Sequence, residues 1–255
     1  MKECEQGRRL ALSLPRRLIA DLMHASRQVP LVTAERRMGL QSVSLVRKRA
    51  SPRVGWCAIF IKAYARVAQL LPELRRSYMS CPWPHLYEHP ESVASVAVER
   101  RIAGELGVLF GRIRGPEQQS LLDIQRHLQG YKEKPIEEVS AYRQMLRISS
   151  LPWPFRRALW WYGLNISGWR RCKYFGTFGI SVVANLGAGL NNLISPLATT
   201  LNYSPLNENG ELEVRLNFDH RVIDGATAAR ALAELEEMIK GDIHRELGYL
   251  QQLAA

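Results

Sequence analysis

The sequence lacks the features that mark several common classes of protein. Its four cysteines are scattered, with no Cys-x-x-Cys pair and no metal-ligand spacing: Cys4, Cys57, Cys81 and Cys172. We therefore expect free thiols in a reducing compartment and no structural metal site. The most apolar stretch, 54–71, is interrupted by Lys62 and Arg66, so it does not resemble a membrane span. The N-terminus has no apolar core of a signal peptide, and a cytoplasmic location is expected.

Boundaries between domains are also missing from the sequence. No internal repeat and no acidic or Gly/Ser-rich linker divides the 255 residues, of which 46% are apolar and 23% charged. Such a chain can bury a full hydrophobic core. We expect a basic, weakly ordered lead-in at 1–14 and a single domain at 15–245.

Negative charge is in deficit. The formal net charge is +11, and much of the excess lies in arginine doublets, among them those that begin at Arg8, Arg16, Arg36, Arg75, Arg156 and Arg170. A field of this sign favours polyanions, but no nucleic-acid recognition motif accompanies it, and we expect no nucleic-acid partner. The positive charge could attract coenzyme A or an acidic carrier protein. Alternatively, it forms a solvated face of the protein with no partner.

The most informative stretch lies near the C-terminus. Apolar and polar residues alternate from Glu211 to Phe218, as in a strand with one buried face, and His220 has the parity of the inward-facing set. Asp224 and Gly225 then break the strand, and a helical pattern follows from Ala226 to about Gly241. A histidine at a strand end with a carboxylate four residues on suits proton transfer, although a hydrogen-bonded core histidine is the simpler alternative.

The full decapeptide 217–226, NFDHRVIDGA, closely resembles the active-site signature of the dihydrolipoyl acyltransferases, the core subunits of 2-oxoacid dehydrogenase complexes. Their structural relatives are the chloramphenicol acetyltransferases. The resemblance implies an α/β chloramphenicol acetyltransferase-like fold, in which helices flank a mixed β-sheet. It also implies a homotrimer with active sites at the subunit boundaries.

The same resemblance implies roles for individual residues. His220 corresponds to the general base that deprotonates the acceptor. Ser181, in the segment FGTFGIS, corresponds to the hydroxyl donor for the oxyanion, and Thr177 on that segment is a candidate substrate contact. The family's carboxylate is held by an arginine of the opening helix, so Asp224 is expected to pair with Arg16, or failing that with Arg17.

Other elements follow from local patterns. We predict strands at 31–37, 93–98, 105–113 and 197–203 and an amphipathic helix at 55–71. Helical patterns resume after Pro116. A short helix is one interpretation of 39–50, and the Pro-rich segment 78–90 reads as irregular.

A Trp- and Arg-rich insertion at 151–174 departs from the family. Three interpretations remain open for its tryptophans: filling of the core or a subunit interface, a hydrophobic wall for an acyl chain, or shallow contact with a membrane surface. Under the second interpretation Trp160 and Trp161 would contact substrate.

No lipoyl domain or subunit-binding module is recognised in the sequence. We therefore expect a free-standing acyltransferase, with an acyl-coenzyme A or an acyl carrier protein as donor, a small acceptor and no metal. The alternatives are a non-catalytic oligomeric scaffold of the same fold, an amide-forming enzyme related to condensation domains, and a membrane- or polyanion-binding module.

Overall fold

The computed structural model describes residues 7–252, so residues 1–6 of the predicted lead-in lie outside the described residues. The α-helices are α1 (Leu14–Ser26), α2 (Gln41–Arg49), α3 (Trp56–Leu70), α4 (Leu121–Glu133), α5 (Ser140–Ser150), α6 (Trp153–Asn165), α7 (Gly168–Phe175), α8 (Gly225–Met238) and α9 (His244–Gln252). The strands are β1 (Leu31–Gly39), β2 (Arg76–Met79), β3 (His85–Glu88), β4 (Val93–Ile102), β5 (Glu105–Arg114), β6 (Phe178–Ile180), β7 (Thr199–Tyr203) and β8 (Glu211–Asp219).

Six strands form one mixed sheet in the order β1-β8-β7-β6-β4-β5. The short strand β6 is parallel to both β4 and β7, whereas the other neighbours are antiparallel. Helices α3, α4 and α8 pack on the main hydrophobic core, and α1, α5, α6 and α7 gather over the β4–β5 end of the sheet. The predicted mixed sheet flanked by helices is therefore confirmed.

Most predicted elements lie close to their expected positions, with two differences. The segment 78–90 is not irregular: β2 and β3 pair there as a separate antiparallel ribbon, with Met79 opposite His85. Its prolines had suggested an irregular path, but all of them lie outside the paired residues. Helix α9 also continues to Gln252, beyond the predicted domain end at 245.

Helix α3 is the centre of the main core. Its apolar residues are buried almost all round, and the Tyr64 hydroxyl donates to Thr199 Oγ1 at 2.8 Å. The two charges that interrupt its sequence are paired: buried Lys62 Nζ lies 2.5 Å from Glu246, and Arg66 lies 3.1 Å from Asp242. Within 7–252, no helix has the combination of length and apolar character that crossing a bilayer requires.

The Trp/Arg-rich insertion forms helices α6 and α7. The start of α7 packs against the β2–β3 ribbon so closely that a Cβ on Gly168 would lie 2.2 Å from the ring of Tyr87. Glycine is therefore required at this contact. Helix α6 is tied to α1 by the buried Asp21, whose carboxylate lies 2.9 Å from Arg156 and 3.4 Å from Arg157.

Arg171 of α7 is the most deeply buried link between the insertion and the rest of the fold. Its guanidinium donates to the carbonyls of Tyr78, Leu164 and Pro196 at 3.1, 3.0 and 2.5 Å. Burial lowers the pKa of Arg171 to about 10, and the negative charge of Asp219 at the end of β8 partly opposes this shift. One side chain thus joins the ribbon, α6, the loop before β7 and the β8 end.

Replacement of Arg171 should show how much the fold depends on this link. Arg171→Met leaves three buried carbonyls and a buried carboxylate with less compensation, and we expect a loss of roughly 3–5 kcal/mol in the free energy of unfolding. Lys173→Met, an exposed position on the same helix, is the matched control and should change stability by less than about 0.5 kcal/mol. Urea unfolding of both variants measures the difference, and equal stabilities would contradict the assigned role.

The buried His89 should make the protein sensitive to acid. Burial, together with the charges of Arg171 and Arg75, lowers the pKa of His89 to about 4, and its Nε2 lies 3.0 Å from Ser77 Oγ. Because an unfolded histidine binds a proton below about pH 6.5, stability is lost as pH falls from about 6.5 to about 4, by on the order of 3 kcal/mol in total.

Unfolding of the wild type and His89→Gln at a series of pH values tests this expectation. The variant should lose less stability than the wild type between pH 7 and pH 4. His127→Gln, at an exposed histidine of α4, should follow the wild type. Parallel curves for wild type and His89→Gln would show that His89 does not titrate as assigned.

Candidate active site

His220 occupies the first position after β8, at the edge between β8 and β1. Its backbone N–H donates to the carbonyl of Pro30 at 3.1 Å, which attaches the residue to the chain just before β1. The side chain itself is 50% exposed, so the expected inward orientation is wrong. The strand alternation ends at Asp219, and the turn that follows directs the imidazole outward.

The turn is built around Asp219, which is completely buried. Its carboxylate accepts hydrogen bonds from the backbone N–H and the guanidinium of Arg221 at 2.7–3.0 Å. The Arg221 guanidinium also stacks over the ring of Tyr78, 4.2 Å from its centroid. These contacts fix the turn that carries His220.

Asp224 caps the start of α8, where its backbone carbonyl accepts from the N–H of Ala228. Its carboxylate lies 3.7 Å from His220 Nδ1 and its side chain is 84% exposed. That distance is too long for a hydrogen bond but allows attraction to a protonated imidazole. Asp224 therefore stands beside the imidazole without forming a hydrogen bond to it.

The predicted pair between Arg16 and Asp224 is not formed. Arg16 lies 3.2 Å from Glu105 on β5, and Arg17 Nε donates to the carbonyl of Leu12. Helix α1 packs against β5 and α5, at the opposite edge of the sheet from β8, so its arginines face other partners. The resemblance did not determine this pairing because it depends on where α1 lies.

Ser181 directly follows β6, as predicted from its motif. Its backbone N–H donates to the carbonyl of Leu201 at 3.2 Å, and its side chain reaches the wall of a cavity. Thr177, the expected substrate contact, is instead buried, and its hydroxyl bonds to the backbone of Val93. Thr177 therefore joins β6 to β4 and does not face a substrate.

The cavity measures about 510 Å³ and lies between the sheet and helices α1, α5, α6 and α7. Its wall is mainly apolar, with contributions from Leu18, Phe110, Met145, Trp160, Phe175 and Leu193. A volume of this size is within the usual range of small-molecule sites, about 300–1,000 Å³. The structure therefore shows a formed pocket whose lining includes Ser181.

The tryptophans of the insertion divide into two groups. Trp160 lines the cavity and packs on Phe175, with ring centroids 5.1 Å apart. Trp161 does not line it and is 53% exposed, so its predicted substrate contact is not supported in a single chain. Trp153 and Trp169 are similarly exposed on the outer surface.

Within one chain, Ser181 and His220 lie far apart. The pairing of β6, β7 and β8 places Ser181 level with Asn202 and Arg215, whereas His220 lies beyond Asp219 at the other end of β8. Five residues along the strand and two strand spacings separate these points, a distance of about 19 Å. The two groups of one chain therefore cannot act on the same atom.

Sequence patterns had missed two charged residues of this region, Arg112 in the cavity wall and Arg171 beneath the His220 turn. Arg112 lies on β5 in an alternating strand pattern that could have indicated its face. No sequence pattern distinguished Arg171 from its neighbour Arg170 or indicated that it would be buried. In residues 7–252, no group of three His, Cys, Asp or Glu residues is arranged to hold a metal ion.

Comparisons with known proteins give a similarity of structure alone. Neither a protein-family model nor a curated protein sequence matches the chain. Solved structures do match. The atomic structure of the cubic core of a pyruvate dehydrogenase multienzyme complex aligns with a TM-score of 0.68 and 20% identity, covering 95% of this chain and 94% of the other.

Two further structures match at nearly the same level. A probable dihydrolipoamide acetyltransferase from Listeria monocytogenes gives a TM-score of 0.67 at 18% identity, over 92% of this chain and 94% of that one. The truncated catalytic core of a 2-oxoacid dehydrogenase multienzyme complex from Thermoplasma acidophilum gives 0.67 at 19%, over 92% and 99%. The chain therefore has the fold of the dihydrolipoamide acetyltransferase cores, as its decapeptide had indicated.

Proposed function

We propose that this protein is an acyltransferase that moves an acyl group from a thioester to a small acceptor, with His220 as the general base. The observation that carries the proposal is the exposed imidazole of His220, which stands at a rigid strand end with the Asp224 carboxylate 3.7 Å away. Such an arrangement leaves a ring nitrogen free to accept a proton from an attacking nucleophile.

The reaction follows from ordinary acyl-transfer chemistry. The acceptor's thiol, hydroxyl or amine attacks the thioester carbon while His220 takes its proton. A donor near the carbonyl stabilises the developing oxyanion, and Ser181 is the candidate for this role. The C–S bond then breaks, and the departing thiolate receives the proton from His220. Atoms and charge balance without a covalent acyl-enzyme.

The separation of His220 and Ser181 within one chain supports a shared active site. A cyclic oligomer repeats the same interface, so His220 of one protomer can face Ser181 of the next. We propose the homotrimer that the family resemblance implies. The outward orientation of His220 and Asp224 leaves both side chains available to such an interface.

The proposed donor is coenzyme A or an acyl carrier protein. The net charge of +11 and the arginine doublets would attract the phosphates of either thioester carrier. The apolar cavity beside Ser181 would hold the acyl group. The donor can be tested before the acceptor is known.

Calorimetric titration with coenzyme A, acetyl-coenzyme A and octanoyl-coenzyme A at moderate salt is the first measurement. We expect saturable, micromolar binding, strongest for octanoyl-coenzyme A because the cavity buries apolar carbon. Transfer of the octanoyl group to a panel of small thiols, alcohols and amines then identifies the acceptor class. No binding by any of the three would eliminate coenzyme A as the donor.

Replacement of the base separates binding from chemistry. His220→Ala should lower kcat for transfer by about 10²–10⁴-fold, with little change in thioester affinity, because it removes proton transfer. His127→Ala, an exposed histidine on α4, is the matched control and should retain full activity. Unchanged turnover in His220→Ala would support a scaffold or a different catalytic residue.

Mixed oligomers test whether two chains share each site. His220→Ala and Ser181→Ala are expected to be weakly active alone. After co-expression at equal amounts, about one quarter of interfaces in a randomly mixed cyclic oligomer carry both native groups. Activity should therefore recover to about one quarter of the wild type. No recovery in a verified mixed oligomer would exclude a site shared in this way.

A further inference from the structure

Arg112 places a positive charge in the wall of the apolar cavity. It lies on β5 opposite Ser95, and both residues line the cavity together with Ala97 and Phe110 on the same face. One guanidinium nitrogen donates to the carbonyl of Tyr174 at 2.6 Å, and the other terminal nitrogen donates to Gln144 at 3.3 Å. These contacts use two of the five N–H donors of the side chain.

No carboxylate of residues 7–252 neutralises this charge. The contacts of Arg112 are to a carbonyl and an amide, and the groups that raise its pKa are the phenols of Tyr131 and Tyr174. Burial and the charge of Arg114 lower that pKa. Arg112 is half-buried, and charges withdrawn from water in proteins are normally paired, so an anion supplied by a ligand would satisfy it.

The other charged residues that line the cavity are also positive. Among the described residues that line it there is no Asp or Glu, whereas Arg147 and Arg170 accompany Arg112. Arg147 is exposed, and Arg170 lies beside the ring of Tyr162. The cavity is therefore apolar along its walls and positive at the Arg112 side, which suits an amphipathic anion and not a cation.

The sheet register fixes how far the charge lies from Ser181. Ser95 pairs with Arg112 on one side and Gly179 on the other, and Ser181 is two residues beyond Gly179. Two strand spacings and two residues of strand correspond to about 12 Å between the backbones of Arg112 and Ser181. One extended ligand of about this length can therefore reach both ends.

The volume agrees with a ligand of this length. An apolar cavity of about 150 Å³ holds benzene, which has six carbons, so about 510 Å³ has room for on the order of 20 non-hydrogen atoms. An acetyl group would leave most of this space empty.

We propose that the cavity binds an extended apolar acyl group whose far end carries a carboxylate, with that carboxylate at Arg112 and the thioester carbonyl at Ser181. The preferred donor is thus the monothioester of a dicarboxylic acid. This inference rests on the proposed acyl transfer for the role of Ser181. The inference of an anion site at Arg112 depends only on the contacts of Arg112 and the lining of the cavity.

Binding of free ligands tests the anion site without any chemistry. Octanoate and octan-1-ol have the same apolar length and differ in charge, and both can be titrated into the wild-type protein by calorimetry. We expect octanoate to bind about ten-fold or more tightly, because a carboxylate forms charge-assisted hydrogen bonds with a guanidinium. Equal affinities for the acid and the alcohol would overturn the proposal.

Variants locate the effect at Arg112. Arg112→Gln should abolish the preference for the acid, and Arg112→Lys should retain part of it. Arg114→Gln is the matched control: this neighbour on β5 is 58% exposed and pairs with Glu91. It should keep the wild-type preference. A preference that survives in folded Arg112→Gln would move the anion elsewhere and overturn the assignment.

Thioester turnover separates this inference from the proposed function. The eight-carbon dicarboxylic monothioester of coenzyme A should have a kcat/KM about ten-fold above that of octanoyl-coenzyme A, and Arg112→Gln should reduce this ratio towards one. Octanoate binding without turnover of any thioester would retain the anion site and contradict acyl transfer. Turnover with no selectivity for the dicarboxylic donor would retain acyl transfer and overturn the substrate assignment.

Discussion

The buried carboxylate of Asp219 is the group on which the rest of the candidate site depends. It holds the guanidinium and backbone of Arg221 and attracts the buried Arg171 of the insertion. A buried carboxylate is costly unless it is paired in this way. The two arginines therefore draw the β8 end, the β2–β3 ribbon and helix α7 to one point. His220 gains a fixed backbone from this cluster while its ring remains free.

The insertion 151–174 serves the fold and the cavity together. Its inner side contributes Trp160 and Tyr174 to the cavity wall, and Arg171 anchors it beneath the site. Filling of the core and lining of an acyl pocket do not account for all of its tryptophans, because Trp153, Trp161 and Trp169 are exposed in the single chain. These outer aromatic residues are available for a subunit interface or a membrane surface, both of which were among the interpretations that the sequence had left open.

The sheet topology explains why His220 and Ser181 of one chain lie far apart. Strand β6 runs parallel to β7 and ends level with the middle of β8. Strand β8 runs antiparallel to β7, so its own end points the other way. In the shared site that we propose, His220 and Ser181 would come from different chains. The outward orientation of His220 would then allow its imidazole to reach the second chain.

Local sequence determined the elements and the residues of the β8 end: the alternation 211–218, the apolar face of α3 and the decapeptide around His220 depend on neighbours along the chain. Periodicity and a specific motif report such short-range constraints well. The orientation of His220, the partner of Arg16, the burial of Thr177 and the charge of Arg112 in the cavity were decided by the tertiary structure. Each depends on which distant segment lies opposite, and one sequence carries no direct record of those contacts because burial and pairing arise only when the layers pack.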